Sequence, residues 1–163
     1  MLNENEMFEK AFKIHLEGKI KEAQKIYLQL VKKTEKKHNL FFLLATTYLQ
    51  TEDYEKAINF FNKSIDIKSN FADAYNNRGI ALYKLKMYHD SVEDFNRAIK
   101  LKENYFDAHL NKGISLRNLK KYDEAIQSYQ NCIKLKSHDA KIYNNLANVF
   151  VELGNYDAAL KSF

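Results

Sequence analysis

Proline is absent from this sequence, glycine occurs four times and cysteine once. Sandwiches and loop-rich folds depend on turn punctuation that such a chain cannot supply, so the balance favours helices. The lone thiol, Cys132, excludes an internal disulfide framework and fits a reducing compartment. Long apolar runs are missing too. The longest, Leu40 to Ala45, is far too short to cross a bilayer. The polar start MLNENEMFEK carries nothing like the apolar segment of a signal peptide. The expectation is a cytoplasmic protein without a membrane partner. Arginine is scarce as well: of 26 basic residues only Arg78, Arg97 and Arg117 are arginine, in a chain of net charge +5. The planar guanidinium is the usual reader of phosphates and bases, whereas scattered lysine supplies solubility. The densest basic run, Lys32-Lys33 with Lys36-Lys37, falls where a helix should end and suits the helix dipole there. A solvated basic surface, with no specific nucleic-acid site, is the reading.

What the chain does contain is a core's worth of side chains: 45% are hydrophobic and 13% aromatic over 163 residues, enough for one domain or one short repeat array. The segments YNNRG at 75, HLNKG at 109 and YNNLA at 143 recur at a fixed interval of 34 residues. When each unit is numbered so that Tyr75 takes position 4, that position reads Met7, Phe41, Tyr75, His109, Tyr143. Position 8 is always small: Ala11, Ala45, Gly79, Gly113, Ala147. Position 11 is always large: Ile14, Tyr48, Leu82, Leu116, Phe150. Spacing of i, i+4 and i+7 lays these on one stripe of a helix.

A second stripe follows in each unit. Position 17 holds Ile20, Tyr54, Tyr88, Tyr122, Tyr156; position 20 holds Ala23, Ala57, Ser91, Ala125, Ala159; position 24 holds Tyr27, Phe61, Phe95, Tyr129, Phe163. Small residues at 8 and 20 let two antiparallel helices approach, and the large ones fill the space between them. The break falls near position 15, where Gly18 and Gly154 provide a helix stop. Glu52, Lys86 and Lys120 at the same place imply that glycine is not required there.

On these residues the sequence resembles the tetratricopeptide repeat family throughout, as four full repeats (4–37, 38–71, 72–105, 106–139) and an incomplete fifth (140–163). The resemblance implies an all-α, right-handed superhelical solenoid of antiparallel helix pairs forming a single array. One departure stands out. The proline often found at position 32 is replaced by Glu35, Ser69, Glu103 and Ser137, so the turns between repeats are expected to rely on polar capping by Ser69-Asn70, Asn104 and Ser137. The fifth repeat stops midway through its second helix, at Phe163, with no polar cap over its apolar face, which leads to the expectation that the chain continues beyond it.

No catalytic constellation is visible, and no cofactor or metal site is expected. The histidines at 15, 38, 89, 109 and 138 have no metal-ligand spacing among themselves or with Cys132. His109 replaces an aromatic and Cys132 a small residue at core positions, which reads as packing. No phosphate-cradling glycine loop is present.

The groove is more informative. Position 6 lies about 200° around the helix from position 4, away from the core stripe. In this family that face of the first helix lines a concave groove in which extended peptides bind. Position 6 is Asn77, Asn111 and Asn145 in repeats three to five, but Glu9 and Leu43 in the first two. This row is similar to the asparagine ladder in the repeat region of O-linked N-acetylglucosamine transferases. An amide both donates and accepts, so such a row would hold a peptide main chain without reading its side chains. Asn76, Asn144 and Asn148 flank it, and Tyr83 and Arg117 at position 12 extend the surface. Inherited repeat consensus is the competing account of the asparagines. A carboxylate clamp of the chaperone-adaptor kind is not expected, since the residues at positions 5 and 9 ahead of each asparagine (Phe42/Thr46, Asn76/Ile80, Leu110/Ile114) do not match it. The expected function is a non-enzymatic scaffold for a protein or peptide partner. Two rivals stand beside it: the substrate-recruiting arm of a larger enzyme such as a glycosyltransferase, and a self-assembling scaffold joined through the groove or the uncapped C-terminal end.

Overall fold

The 34-residue register returns as helix starts. The computed structural model describes residues 3–33, 37–136 and 138–161. Its first helices are α1 (Glu4–Leu16), α3 (His38–Gln50), α5 (Ala72–Lys84), α7 (Phe106–Asn118) and α9 (Ala140–Glu152). Its second helices are α2 (Ile20–Val31), α4 (Tyr54–Ile67), α6 (Tyr88–Leu101), α8 (Tyr122–Leu135) and α10 (Tyr156–Leu160). Each first helix packs most extensively on the second helix of its own repeat and next on that of the repeat before, which makes an all-α solenoid of helix pairs. Phe163, at position 24 of the fifth repeat, lies outside the described residues, as do Glu35, Lys36 and Ser137.

The turn inside each repeat has one geometry despite varied sequence. Position 15 is left-handed in all five: Gly18 (φ 78°), Glu52 (62°), Lys86 (62°), Lys120 (59°) and Gly154 (73°). The next residue's N–H then bonds back to the carbonyl of position 11, as in Met87 to Leu82 (3.0 Å) and Lys121 to Leu116 (2.9 Å). That closure satisfies an orphan carbonyl at the helix end, which offsets part of the left-handed penalty of roughly 1–2 kcal/mol for a side-chain-bearing residue.

The turns between repeats differ from expectation. Ser69-Asn70 and Asn104 do not cap the helices that follow them. The cap positions are Phe71 before α5 and Tyr105 before α7, neither making a side-chain cap hydrogen bond. Their rings brace the junction instead. Phe71 packs on Phe42 at 4.8 Å between ring centroids, and the Tyr105 hydroxyl donates to Asp73 Oδ1 at 2.7 Å. A polar cap appears at only one described junction, where Asp139 accepts from the Lys141 N–H.

The small positions allow close approach. A Cβ placed on Gly79 would lie 2.7 Å from Phe95, and one on Gly113 would lie 2.5 Å from Tyr129. Position 24 rings therefore press directly on the backbone of the first helix. Tyr27, Phe61, Phe95 and Tyr129 are fully buried. Cys132 lies in the same core, its Sγ 3.8 Å from the Phe106 carbonyl oxygen, and burial pushes its thiol up to about 12. It is a packed, unreactive thiol. His109 is 9% exposed with Nε2 3.0 Å from the Glu103 carbonyl oxygen.

Candidate functional site: the concave face

Curvature follows from which helices approach most closely. Along the stack the backbone of α3 approaches that of α5, α5 that of α7 and α7 that of α9, while the backbones of successive second helices stay further apart. The first helices are therefore the inner layer, and their outward positions 2, 6 and 9, with position 5 at the seams between neighbours, form the concave face.

Asn76 and Asn77 sit side by side on α5. Asn77 is half-buried, and its Oδ1 accepts from Asn76 Nδ2 at 3.1 Å. Asn76 is 4% exposed, and its Oδ1 accepts from Asn111 Nδ2 of α7 at 3.4 Å. The three amides thus form one chain across two repeats, with Asn76 as its link. Spacing alone placed Asn76 beside the row. Position 5 instead faces the seam between neighbouring first helices, where α7 covers it.

The structure does not extend this chain to α9. Asn145 is half-buried and donates from Nδ2 to the Lys141 carbonyl of its own helix at 2.8 Å. Asn144 and Asn148 are exposed. Tyr83 and Arg117 belong to a second cluster nearer the helix C-termini. There Asn118 Nδ2 lies 3.5 Å from the Tyr83 hydroxyl and Arg117 Nε lies 3.7 Å from Glu152 Oε1. Both distances are long, so these contacts constrain the side chains weakly.

Two features escaped the sequence reading. One is a clamp joining repeats two and three. Arg78 donates from Nε and Nη2 to both carboxylate oxygens of Asp94 at 2.7 and 2.6 Å, and from Nη1 to Asn62 Oδ1 at 2.6 Å. Burial raises the Asp94 carboxyl above its ordinary value against the pull of the guanidinium, while the same bond raises Arg78. The signal was an aspartate at position 23, where other repeats carry Ile26, Phe60 and Ser128. The other feature is aromatic: Phe8 and Phe42 hold position 5 in the first two repeats, where later repeats place Asn76, Leu110 and Asn144.

Among the described residues no group of histidine, cysteine, aspartate and glutamate is arranged to hold a metal ion, and no helix is long and apolar enough to cross a membrane. The constellation is thus one of amides and apolar side chains on a curved helical face.

Comparison with known families decides what this face belongs to. The tetratricopeptide repeat model matches residues 72–105, and the TPR repeat model matches 45–86 and 115–154. The chain belongs to the tetratricopeptide repeat family. Solved tetratricopeptide-like structures share its fold at low identity. MamA is 24% identical, with 94% of this chain and 90% of that one covered at a TM-score of 0.88. The segment of MamA from residue 41 to its end, from Desulfovibrio magneticus RS-1, is 16% identical over 100% and 93% at a TM-score of 0.93. YrrB, described as a TPR protein with an unusual peptide-binding site, is 19% identical over 98% and 82% at a TM-score of 0.84. A comparison with curated protein sequences finds no match. For this tetratricopeptide array the relatives establish the fold, and the site must be argued from its own residues.

Proposed function

We propose that the chain is a non-enzymatic protein-interaction scaffold that holds an extended peptide segment along its concave face. The observation that carries this reading is the amide chain Asn77–Asn76–Asn111 on the inner layer. The chain leaves Asn77 Nδ2 and Asn111 Oδ1 without protein partners among the described residues, one donor and one acceptor for a peptide main chain. Neighbouring first helices lie about 10 Å apart by ordinary packing, and extended chain rises about 3.3 Å per residue, so each repeat meets roughly every third peptide residue. A TPR protein with a peptide-binding site among the structural neighbours agrees with this use of the fold.

The test replaces Asn77, Asn111 and Asn145 together with alanine and measures the affinity of a peptide selected on the unaltered chain. Two net hydrogen bonds, from Asn77 and Asn111, at about 0.5–1.5 kcal/mol each predict a loss of at least about fivefold. Stability should fall by about 2 kcal/mol, since the buried Asn76 loses both its acceptor, Asn77, and its donor, Asn111. Unchanged affinity would sink the proposal.

A further inference from the structure

The concave face changes character at its N-terminal end, in shape and in chemistry. From α3 to α9 the backbones of neighbouring first helices approach closely, whereas α1 and α3 are joined at their C-terminal ends by His15 Nε2 and Gln50 Oε1 at 2.8 Å and lie further apart along the rest of their length. Between them opens a cavity of about 350 Å³. At roughly 30 Å³ per liquid water, that is room for about a dozen waters or a large side chain. Its walls are Phe8 and Phe12 from α1, Phe42 and Leu43 from α3, and Phe71 from the junction before α5. Phe12 is 37% exposed at the mouth, and the 4.8 Å contact of Phe42 with Phe71 braces the back wall.

Two observations say what such a slot accepts. Phe8 and Phe42 occupy position 5 and Leu43 position 6, the positions that carry Asn76, Asn77 and Asn111 further along, so slot and amide row share one face. The only charged residue on its wall is Glu9, exposed and without an ion pair within 4.0 Å among the described residues. An apolar side chain entering the slot would bring its chain neighbours beside that carboxylate, and charge complementarity selects a basic one.

Building on the peptide-scaffold reading above, we propose that the slot between α1 and α3 takes one large apolar side chain of the bound peptide, with an adjacent lysine or arginine facing Glu9. The slot lies about one and a half helix spacings from α5, which places this anchor about four or five extended residues from the residue held at Asn77. The apolar anchor then sets specificity, and the amide row supplies affinity for main chain of any sequence.

Random linear peptides displayed on phage, long enough to span slot and row, are panned against the full chain, and enriched sequences are resynthesised for titration. The expected result is a phenylalanine, leucine, isoleucine or methionine next to a lysine or arginine. Affinity should fall about tenfold or more on Phe12→Ser, and Glu9→Lys should turn the selected neighbour from basic to acidic. Both residues are exposed, and a thermal melt confirms that the variants fold. Peptides that lose affinity with the triple asparagine variant but ignore Phe12→Ser and Glu9→Lys would overturn the slot and leave the scaffold reading standing. Peptides that respond to the slot variants and ignore the asparagine variant would support the slot and remove the amide row. If Phe12→Ser only turns an oligomer into a monomer by light scattering, the occupant is a second copy and the proposal fails. Absence of any enriched peptide overturns both.

Discussion

At position 7 the third repeat places Arg78 on α5 and the fourth places Lys112 on α7, two helices of the same length whose residues correspond one for one. Arg78 finds Asp94 across the helix pair, its guanidinium forking onto both carboxylate oxygens. Lys112 faces a repeat in which position 23 is Ser128, whose hydroxyl bonds to the Glu124 carbonyl of its own helix at 3.0 Å. Among the described residues Lys112 has no ion pair within 4.0 Å. The two repeats share a backbone and differ in whether a partly buried cation is matched. The repeat pattern sets the fold, while pairwise chemistry laid over it sets how firmly each junction is held.

The largest effect should come from breaking the matched side. Asp94→Ala leaves Arg78 with 23% of its side chain exposed and its main acceptor gone. Removing one partner of a fully buried pair costs about 3–5 kcal/mol, and the partial exposure of Arg78 brings the expected loss to about 2–3 kcal/mol by urea unfolding. Adding Arg78→Met to that variant should recover most of the loss, because the isolated charge was the problem. Arg78→Lys should not rescue the pair, since an ammonium cannot make the two parallel bonds. If Asp94→Ala unfolds at the same urea concentration as the parent, the junction does not depend on the clamp.

The same two repeats differ more finely in their glycines. A methyl at Gly113 meets Tyr129 at 2.5 Å, and at Gly79 it meets Phe95 at 2.7 Å. Overpacking costs about 1–3 kcal/mol, while alanine regains about 1 kcal/mol of helix propensity. Gly113→Ala should therefore destabilise by about 1–2 kcal/mol and Gly79→Ala by about half that, read as shifts in thermal midpoint. Equal shifts would show that the fourth repeat packs no more tightly than the third.

Much of this architecture was legible because it depends on periodicity. Small residues at positions 8 and 20, large ones at 11 and 24, and the break at 15 are enough to set the helix pairs. The left-handed backbone of Glu52, Lys86 and Lys120 was not legible, because their side chains gave no sign of a positive φ and only the shared turn closure reveals it. Less was legible where a side chain's fate depends on the adjacent repeat. Asn76 and Asn77 differ by one position and 100° of helix, yet α7 covers the first and leaves the second half-buried. The Arg78–Asp94 clamp joins residues 16 apart on different helices, and no periodic pattern pairs them. The slot between α1 and α3 is a property of stacking distance, which a one-dimensional repeat does not encode.

The smallest effect, and the one that isolates electrostatics, belongs to Lys112. Burial holds its ammonium below the ordinary lysine value, with Glu124 opposing weakly. A lysine depressed in the folded state carries its desolvation penalty at every pH below its folded value. As pH rises from that value to about 10.4, where the unfolded chain also loses its proton, the penalty disappears. Lys112→Met removes the charge and keeps the stem's length, so it should stabilise at neutral pH. Half-exposure and screening limit the gain to about 0.5 kcal/mol. The gain should shrink as pH climbs through that window, because the parent sheds its own penalty there. The same substitution at Arg78 should destabilise at neutral pH, since it strands Asp94 as a buried carboxylate. A Lys112→Met gain that stays constant up to pH 10 would assign the effect to packing, and the contrast between the repeats would then be one of shape.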